Sequence, residues 1–109
     1  MAYDETLAER VRPLISRRKG FVGKKMFGGM GFLLHGNMCV GVWKEFLILR
    51  VGPEDYEDAL AQPHVKEFDI TGRAMKGWVM IEPAGVRRDS ELSEWVGQAI
   101  DFVNGLPRK

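Results

Sequence analysis

Residues 24–31, KKMFGGMG, combine two lysines with three glycines and could in principle bind a phosphate group. A phosphate loop also needs the right spacing, either G-x-x-x-x-G-K-[ST] or a G-x-G-x-x-G that opens a helix. Neither pattern is present, and the glycines lead into an apolar run that is typical of a strand. Gly28, Gly29 and Gly31 therefore indicate a bulge or a close approach of two backbones. A ligand-binding loop is the alternative.

His35 and Cys39 are close enough in sequence to suggest a base and a nucleophile. A two-residue turn at Gly36-Asn37 would pair Leu34 with Cys39 and place ring and thiol on opposite faces, whereas a three-residue turn would bring them together. We expect the shorter turn and a buried, unreactive thiol. The chain has one cysteine, and His64 lies on a different segment, so the sequence predicts no catalytic residue, no metal site and no cofactor.

Five basic side chains flank the predicted strands and could together bind an anion: Lys24, Lys25, Arg50, Arg73 and Lys76. The lysine pair enters the first strand, Arg50 leaves the third, and the last two sit on a second hairpin. If the sheet brings them together, they could bind phosphate or nucleic acid. The alternative is that they guard strand ends and edges. We expect no interleaved aromatic surface for a single strand.

The composition is that of one globular domain, residues 1–109, with 45% hydrophobic and 28% charged residues and a net charge of +1. No apolar run reaches membrane-spanning length, and the N-terminus does not resemble a signal peptide. We therefore expect a cytoplasmic protein without a membrane partner. The charge is uneven, because residues 1–25 carry seven basic side chains against three acidic ones, and residues 53–69 carry six acidic against one basic.

The elements that must position these residues follow from hydrophobic spacing and turn signals. An apolar stripe over 7–15 predicts a helix, bent at Pro13 and capped at Gly20. Three strand-like runs follow, 25–35, 38–43 and 46–51, then a short helix over 53–63 and a hairpin over 66–82. The final segment is apolar at helical spacing from Leu92 to Val103, with Asp89 or Ser90 as the start and Gly105 as the end. The order α-β(3)-α-β(2)-α predicts a two-layer α+β domain with a mainly antiparallel sheet.

The central strands are apolar on both faces, which a two-layer domain does not require. Met38, Val40 and Val42 should share one face of their strand and Cys39 and Trp43 the other. In the next strand, Phe46 and Ile48 should oppose Leu47, Leu49 and Val51. Three helices cover about one face, so we expect a homodimer or a partner domain on the second. Wrapping by the last helix and loops is the alternative.

Four segments resemble the TfoX (Sxy) N-terminal domain family: KKMFGGMGFLLHGNMCVGV, LILRVGPEDYEDAL, TGRAMKGWVMIEP and ELSEWVGQAIDFVNGLP. The resemblance runs from Lys24 to Leu106. The residues that match the family motif are Lys24, Lys25, Met26, Phe27, Gly28, Gly29, Met75, Lys76 and Gly77.

The resemblance implies a bacterial, cytoplasmic protein with a two-layer fold related to secretion-chaperone-like domains. The family's competence regulators act with a transcription regulator, the cyclic-AMP receptor protein, and carry a second helical domain that these 109 residues do not include. We therefore expect a non-enzymatic regulatory or protein-interaction domain, with nucleic-acid or anion binding as the alternative.

Overall fold

The computed structural model describes residues 3–26, 28–69 and 72–107. The elements, in chain order, are α1 (Glu5–Ile15), β1 (Phe21–Met26), β2 (Gly29–Leu34), β3 (Asn37–Trp43), β4 (Phe46–Arg50), α2 (Tyr56–Leu60), β5 (Val65–Glu67), β6 (Trp78–Ile81), a 3₁₀ turn (Pro83–Val86) and α3 (Asp89–Asn104). The strands form one antiparallel sheet in the order β1-β2-β3-β4-β6-β5. The predicted α+β class is confirmed.

The predicted count of three strands before α2 is wrong, because the run 25–35 contains a chain reversal. Met26 pairs with Gly29, and Gly28 has a φ of +76°, a conformation that glycine adopts without strain. The reversal separates β1 from β2, and the polar stretch before it becomes an edge strand. Four strands therefore precede α2.

The first helix matches its predicted stripe, with Leu7, Val11 and Ile15 buried in the core. The side chain of Asp4 caps the start by accepting a hydrogen bond from the Leu7 amide at 3.0 Å. The helix ends at Ile15, with Ser16 as its C-cap rather than Gly20.

The last helix begins at Asp89 and has Arg88, not Asp89 or Ser90, as its N-cap. The Glu91 carboxylate accepts a hydrogen bond from the Arg88 amide at 3.3 Å, and Gly105 ends the helix as predicted. None of the helices in the described part of the chain has the length and apolarity of a membrane span.

The turn between β2 and β3 differs by one residue from the prediction. Leu34 pairs with Asn37, so the turn residues are His35 and Gly36, with φ of 51° and 84°, as a type I′ turn requires. Asn37 is buried instead, and its side-chain amide donates a hydrogen bond to the Pro107 carbonyl oxygen at 2.8 Å. Asn37 thus fixes the segment that follows α3.

A β-bulge in β3 offsets this shift in the turn. Phe32 pairs with Val40 and Leu33 with Met38, which leaves Cys39 as an extra residue. The bulge turns Cys39 toward the helix-side core together with Val40. The predicted grouping of Met38 with Val40, and of Cys39 opposite Val40, is therefore wrong.

The register of the other strands sorts their side chains cleanly between two faces. Leu47 and Leu49 pack with the helices in the main core, whereas Ile48 and Phe46 belong to a separate cluster on the other side. This confirms the predicted division of β4. The buried residues of α1, α2 and α3 all lie in the main core, so the three helices share one face of the sheet.

Candidate functional site

The sheet face away from the helices is the candidate site, and we call it the open face. The register places these strand residues on it: Val22, Lys24, Met26, Gly29, Gly31, Leu33, Met38, Gly41, Trp43, Phe46, Ile48, Arg50, Lys66, Trp78 and Met80. Within the described ranges no helix packs on this face, because the helices bury their apolar residues on the other.

The centre of the open face is covered by its own side chains. Ile48 and Met80 are only 2% and 4% exposed, beneath Trp43, Phe46 and Trp78. The loop after β5 also folds back, so that the ring of Phe68 lies 5.9 Å from that of Trp78. The expected need for a covering partner is thus partly met within the protomer.

The part of the open face over β1, β2 and β3 remains accessible. Val22 is 53% exposed, and Met26, Leu33 and Met38 are half-buried. A shallow dent of about 20 Å³ lies among Met26, Met38 and their aromatic neighbours. The accessible area is therefore apolar and includes two flexible methionines.

Glycines let these methionines lie flat on the sheet. A Cβ atom added to Gly31 would stand 3.0 Å from the sulfur of Met26, and one added to Gly41 would stand 2.7 Å from the terminal carbon of Met38. Met26 occupies the space that a side chain on the neighbouring strand would fill, and Met38 occupies the space above a glycine of its own strand. Because methionine is unbranched and adaptable, the surface that these two side chains form can change shape.

Gly29 has a different role, as the site of a close approach between two backbones. A Cβ atom there would overlap the carbonyl oxygen of Val42 and lie 3.3 Å from the Cα atom of Trp43. The close approach predicted at these glycines is confirmed at Gly29.

The aromatic half of the open face is interleaved with basic side chains. The Lys44 ammonium lies 4.6 Å from the centre of the Trp43 ring, the Lys66 ammonium 5.5 Å from that of Phe46. The Arg50 guanidinium likewise lies 5.3 Å from the ring of Trp78. These distances allow cation–π attraction. Aromatic and basic side chains therefore lie beside each other on this face, and Lys44, Lys66 and the aromatic residues are the members of the site that sequence reasoning missed.

The five predicted anion-binding residues do not form one cluster. Lys24 and Lys25 lie on the edge strand β1 and point to opposite faces. Arg50 lies on β4, three strands away, or about 14 Å. Arg73 and Lys76 lie in the loop between β5 and β6. Lys76 precedes Gly77, whose carbonyl oxygen accepts hydrogen bonds from the Val51 and Gly52 amides just after β4. Arg50 and Lys76 are therefore at one end of the sheet, away from the lysine pair.

The charged strand residues of the open face all carry the same sign. The open-face strand residues include the cations Lys24, Arg50 and Lys66 and no acid. Exposed acids lie instead on and before α2 and along α3: Glu54, Asp55, Glu57, Asp58, Glu94 and Asp101. The strand surface of the open face is thus cationic, on a chain whose net charge is only +1 and which also carries exposed arginines on and beside the helices, such as Arg12 and Arg87.

Cys39 cannot act as a nucleophile at neutral pH. The thiol is fully buried, and burial raises its pKa from 9.0 to about 12, although the nearby Arg50 acts in the opposite direction. The thiol therefore stays protonated, as expected for a buried cysteine.

A groove of about 400 Å³ lies between α2 and α3 and includes Asp58, His64, Glu94 and Trp95. Among the described residues no group of three or more His, Cys, Asp or Glu side chains has an arrangement that could hold a metal ion. The same residues contain no buried side-chain polar atom without a hydrogen-bond partner. The groove is lined by further polar side chains, Gln62, Glu91 and Gln98, but its described residues form no metal-binding group.

The sequence matches a known protein family. A family model described as the TfoX N-terminal domain matches residues 14–103, which is most of the 109-residue chain. Comparison with curated proteins and with solved structures finds no match. The match includes β1 to β6 and nearly all of α3.

Proposed function

The chain belongs to the TfoX N-terminal domain family, and from this premise we propose that it is a non-enzymatic regulatory domain that binds a protein through the open face. The partner class that the family resemblance implies is a bacterial transcription regulator. We place the interaction in the cytoplasm, where a single unpaired cysteine such as Cys39 is typical.

The accessible apolar part of the open face is the observation that supports this proposal. Val22, Met26, Leu33 and Met38 are adjacent across three strands, and each keeps part of its surface in water. Contiguous apolar surface of this kind marks sites of protein interaction in globular domains. Half of the sheet face already has its own cover, so a partner needs to bind only the other half and its rim.

Nucleic-acid binding is the second candidate, favoured by the pairing of Trp43, Phe46 and Trp78 with basic side chains. Sheet surfaces that bind single strands combine stacking aromatics with cations in this way. A homodimer through the open face remains a third possible occupant of the same surface.

Site-specific photo-crosslinking in the native cell distinguishes these occupants. A benzophenone amino acid replaces Val22 or Met38 on the open face, and Ser93, exposed on α3, is the matched control position. We expect a discrete adduct with a second protein from both face positions and none from the control. A nuclease-sensitive adduct would favour nucleic acid, and an adduct of two copies would favour the homodimer. Equal adducts from face and control, or none, would contradict the proposal.

A further inference from the structure

We propose that the segment bound by the open face is an amphipathic helix whose apolar stripe is flanked by acidic side chains. This inference rests on the proposed function and specifies the chemistry of the partner.

The sign of the partner's charge follows from the ionisable residues of the open face. Lys24 lies at one edge of the sheet, Lys66 at the other, and Arg50 at the end of β4. The nearby acids, Glu45 and Asp69, lie outside the strands, in the turn after β3 and in the loop after β5. A partner with acidic flanks would therefore complement the charge of the face along both edges.

A second copy of the chain complements this face poorly. Every charged strand residue on it is a cation, so two open faces joined by a two-fold axis have no acidic strand residue to pair with these cations. Like charges across an interface disfavour a pairing. The charges therefore favour an acidic partner over self-association.

The width of the face fits one helix. Lys24 and Lys66 belong to the same cross-strand row, which runs through Gly31, Gly41, Ile48 and Met80. Five strand spacings separate the two lysines, or about 24 Å. A helix with its side chains is about 10–12 Å wide, which leaves about 6 Å on each side. That gap is comparable to the length of a lysine side chain, so both lysines can reach carboxylates on the flanks of one central helix.

The floor of the face suits apolar side chains of different shapes. Met26 lies over a glycine of the neighbouring strand and Met38 over a glycine of its own strand, and both side chains are unbranched and flexible. The dent beside them is bordered by Trp43, Ile48 and Phe68 and has almost no polar surface. An apolar side chain from a helix could enter this dent as the methionines adjust.

Single-stranded nucleic acid fits the same surface less well. A base that stacked on Trp43, Phe46 or Trp78 would have to displace the cation that lies over each ring. Trp43 and Phe46 are also stacked on each other, with ring centres 6.3 Å apart. The rings are therefore already engaged, whereas the ammonium groups remain able to bind carboxylates.

The test uses three fluorescent 18-residue helical peptides that share one leucine stripe and carry Glu, Gln or Lys on its flanks. Fluorescence anisotropy measures their binding to the full chain in low and high salt, with a thymidine 20-mer as the nucleic-acid probe. The charge-reversal variant is Lys24→Glu/Lys66→Glu. The matched control is Arg87→Glu/Arg88→Glu, two exposed arginines beside the start of α3 that change the net charge equally.

We expect the Glu peptide to bind about tenfold more tightly than the Gln peptide in low salt, with the difference shrinking as salt rises. The Lys24→Glu/Lys66→Glu variant should reverse the order of the Glu and Lys peptides, and the control should preserve it. Equal binding of Glu and Gln peptides would overturn this inference while leaving the proposed function intact. Tighter binding of the thymidine 20-mer would overturn it in favour of nucleic acid. If no peptide binds, this inference fails, and the crosslinking from Val22 and Met38 tests the proposed function separately.

Discussion

Adding one methyl group at Gly29 should destabilise the protein by about 2–4 kcal/mol. In Gly29→Ala the new Cβ atom overlaps the carbonyl oxygen of Val42 and lies 3.3 Å from the Cα atom of Trp43. Both obstacles are backbone atoms of β3, which is paired on both sides and cannot rotate away as a side chain would. Strands β2 and β3 must therefore separate locally.

The magnitude combines two costs of that separation. Forcing an extra carbon into a packed interior costs about 1–3 kcal/mol. Weakening one backbone hydrogen bond between the strands adds about 1 kcal/mol. Urea denaturation followed by tryptophan fluorescence measures the sum as a change in the free energy of unfolding.

Gly97→Ala is the matched control, because it adds the same methyl group in the same chain. Gly97 lies in α3, and no atom comes within 4 Å of a Cβ atom added there. Alanine is a better helix former than glycine, so this variant should gain up to about 1 kcal/mol. A loss below about 0.5 kcal/mol in Gly29→Ala would refute the close-approach explanation. This motif glycine would then need a role other than packing.

Three further predictions concern a buried thiol, the cap of a helix and a buried side-chain amide. Cys39 should make the protein less stable above pH 9, because its pKa of about 12 in the folded state exceeds the value of 9.0 for a free thiol. Relative to Cys39→Ala, the wild type should lose about 1.4 kcal/mol between pH 8 and pH 10, and an unchanged difference would show that the thiol ionises equally in both states. Asp4→Ala removes the cap of α1 and should lower the free energy of unfolding in urea by about 1 kcal/mol. An unchanged free energy would show that water replaces the cap. Asn37→Ala breaks the bond to the Pro107 carbonyl and should cost about 1–2 kcal/mol while hastening amide exchange after α3, and unchanged exchange there would argue against a tether.

The sequence predicted the parts of the fold that depend on local spacing. The final helix follows from apolar residues three and four apart, and its Gly105 terminus follows from glycine's preference for helix ends. The α+β class also follows, because helical and strand periods alternate along the chain.

Features that depend on pairing between strands were not predictable in the same way. The bulge at Cys39 leaves no local signal, so Met38 and Cys39 were assigned to the wrong faces, whereas the alternation of Val40, Val42 and Trp43 was assigned correctly. Trp43 and Phe46 meet in the hairpin between β3 and β4, but Trp78 joins them only because β4 pairs with β6, and α2 and β5 separate these two strands in the chain. The proposed anion site was placed without knowing the strand order, which separates Lys24 from Arg50.

The extra residue in β3 also sets where this strand can change length. Because side chains alternate with a period of two, losing one residue from the regular stretch after the bulge, residues 41–43, would exchange inward and outward positions over the rest of the strand. Losing Cys39 itself would instead restore a regular ladder, with Met38 and Val40 each still facing the side that it faces now. We therefore expect single-codon deletions in this strand to be tolerated best at position 39, which makes the bulge the point where related chains are freest to differ by one residue.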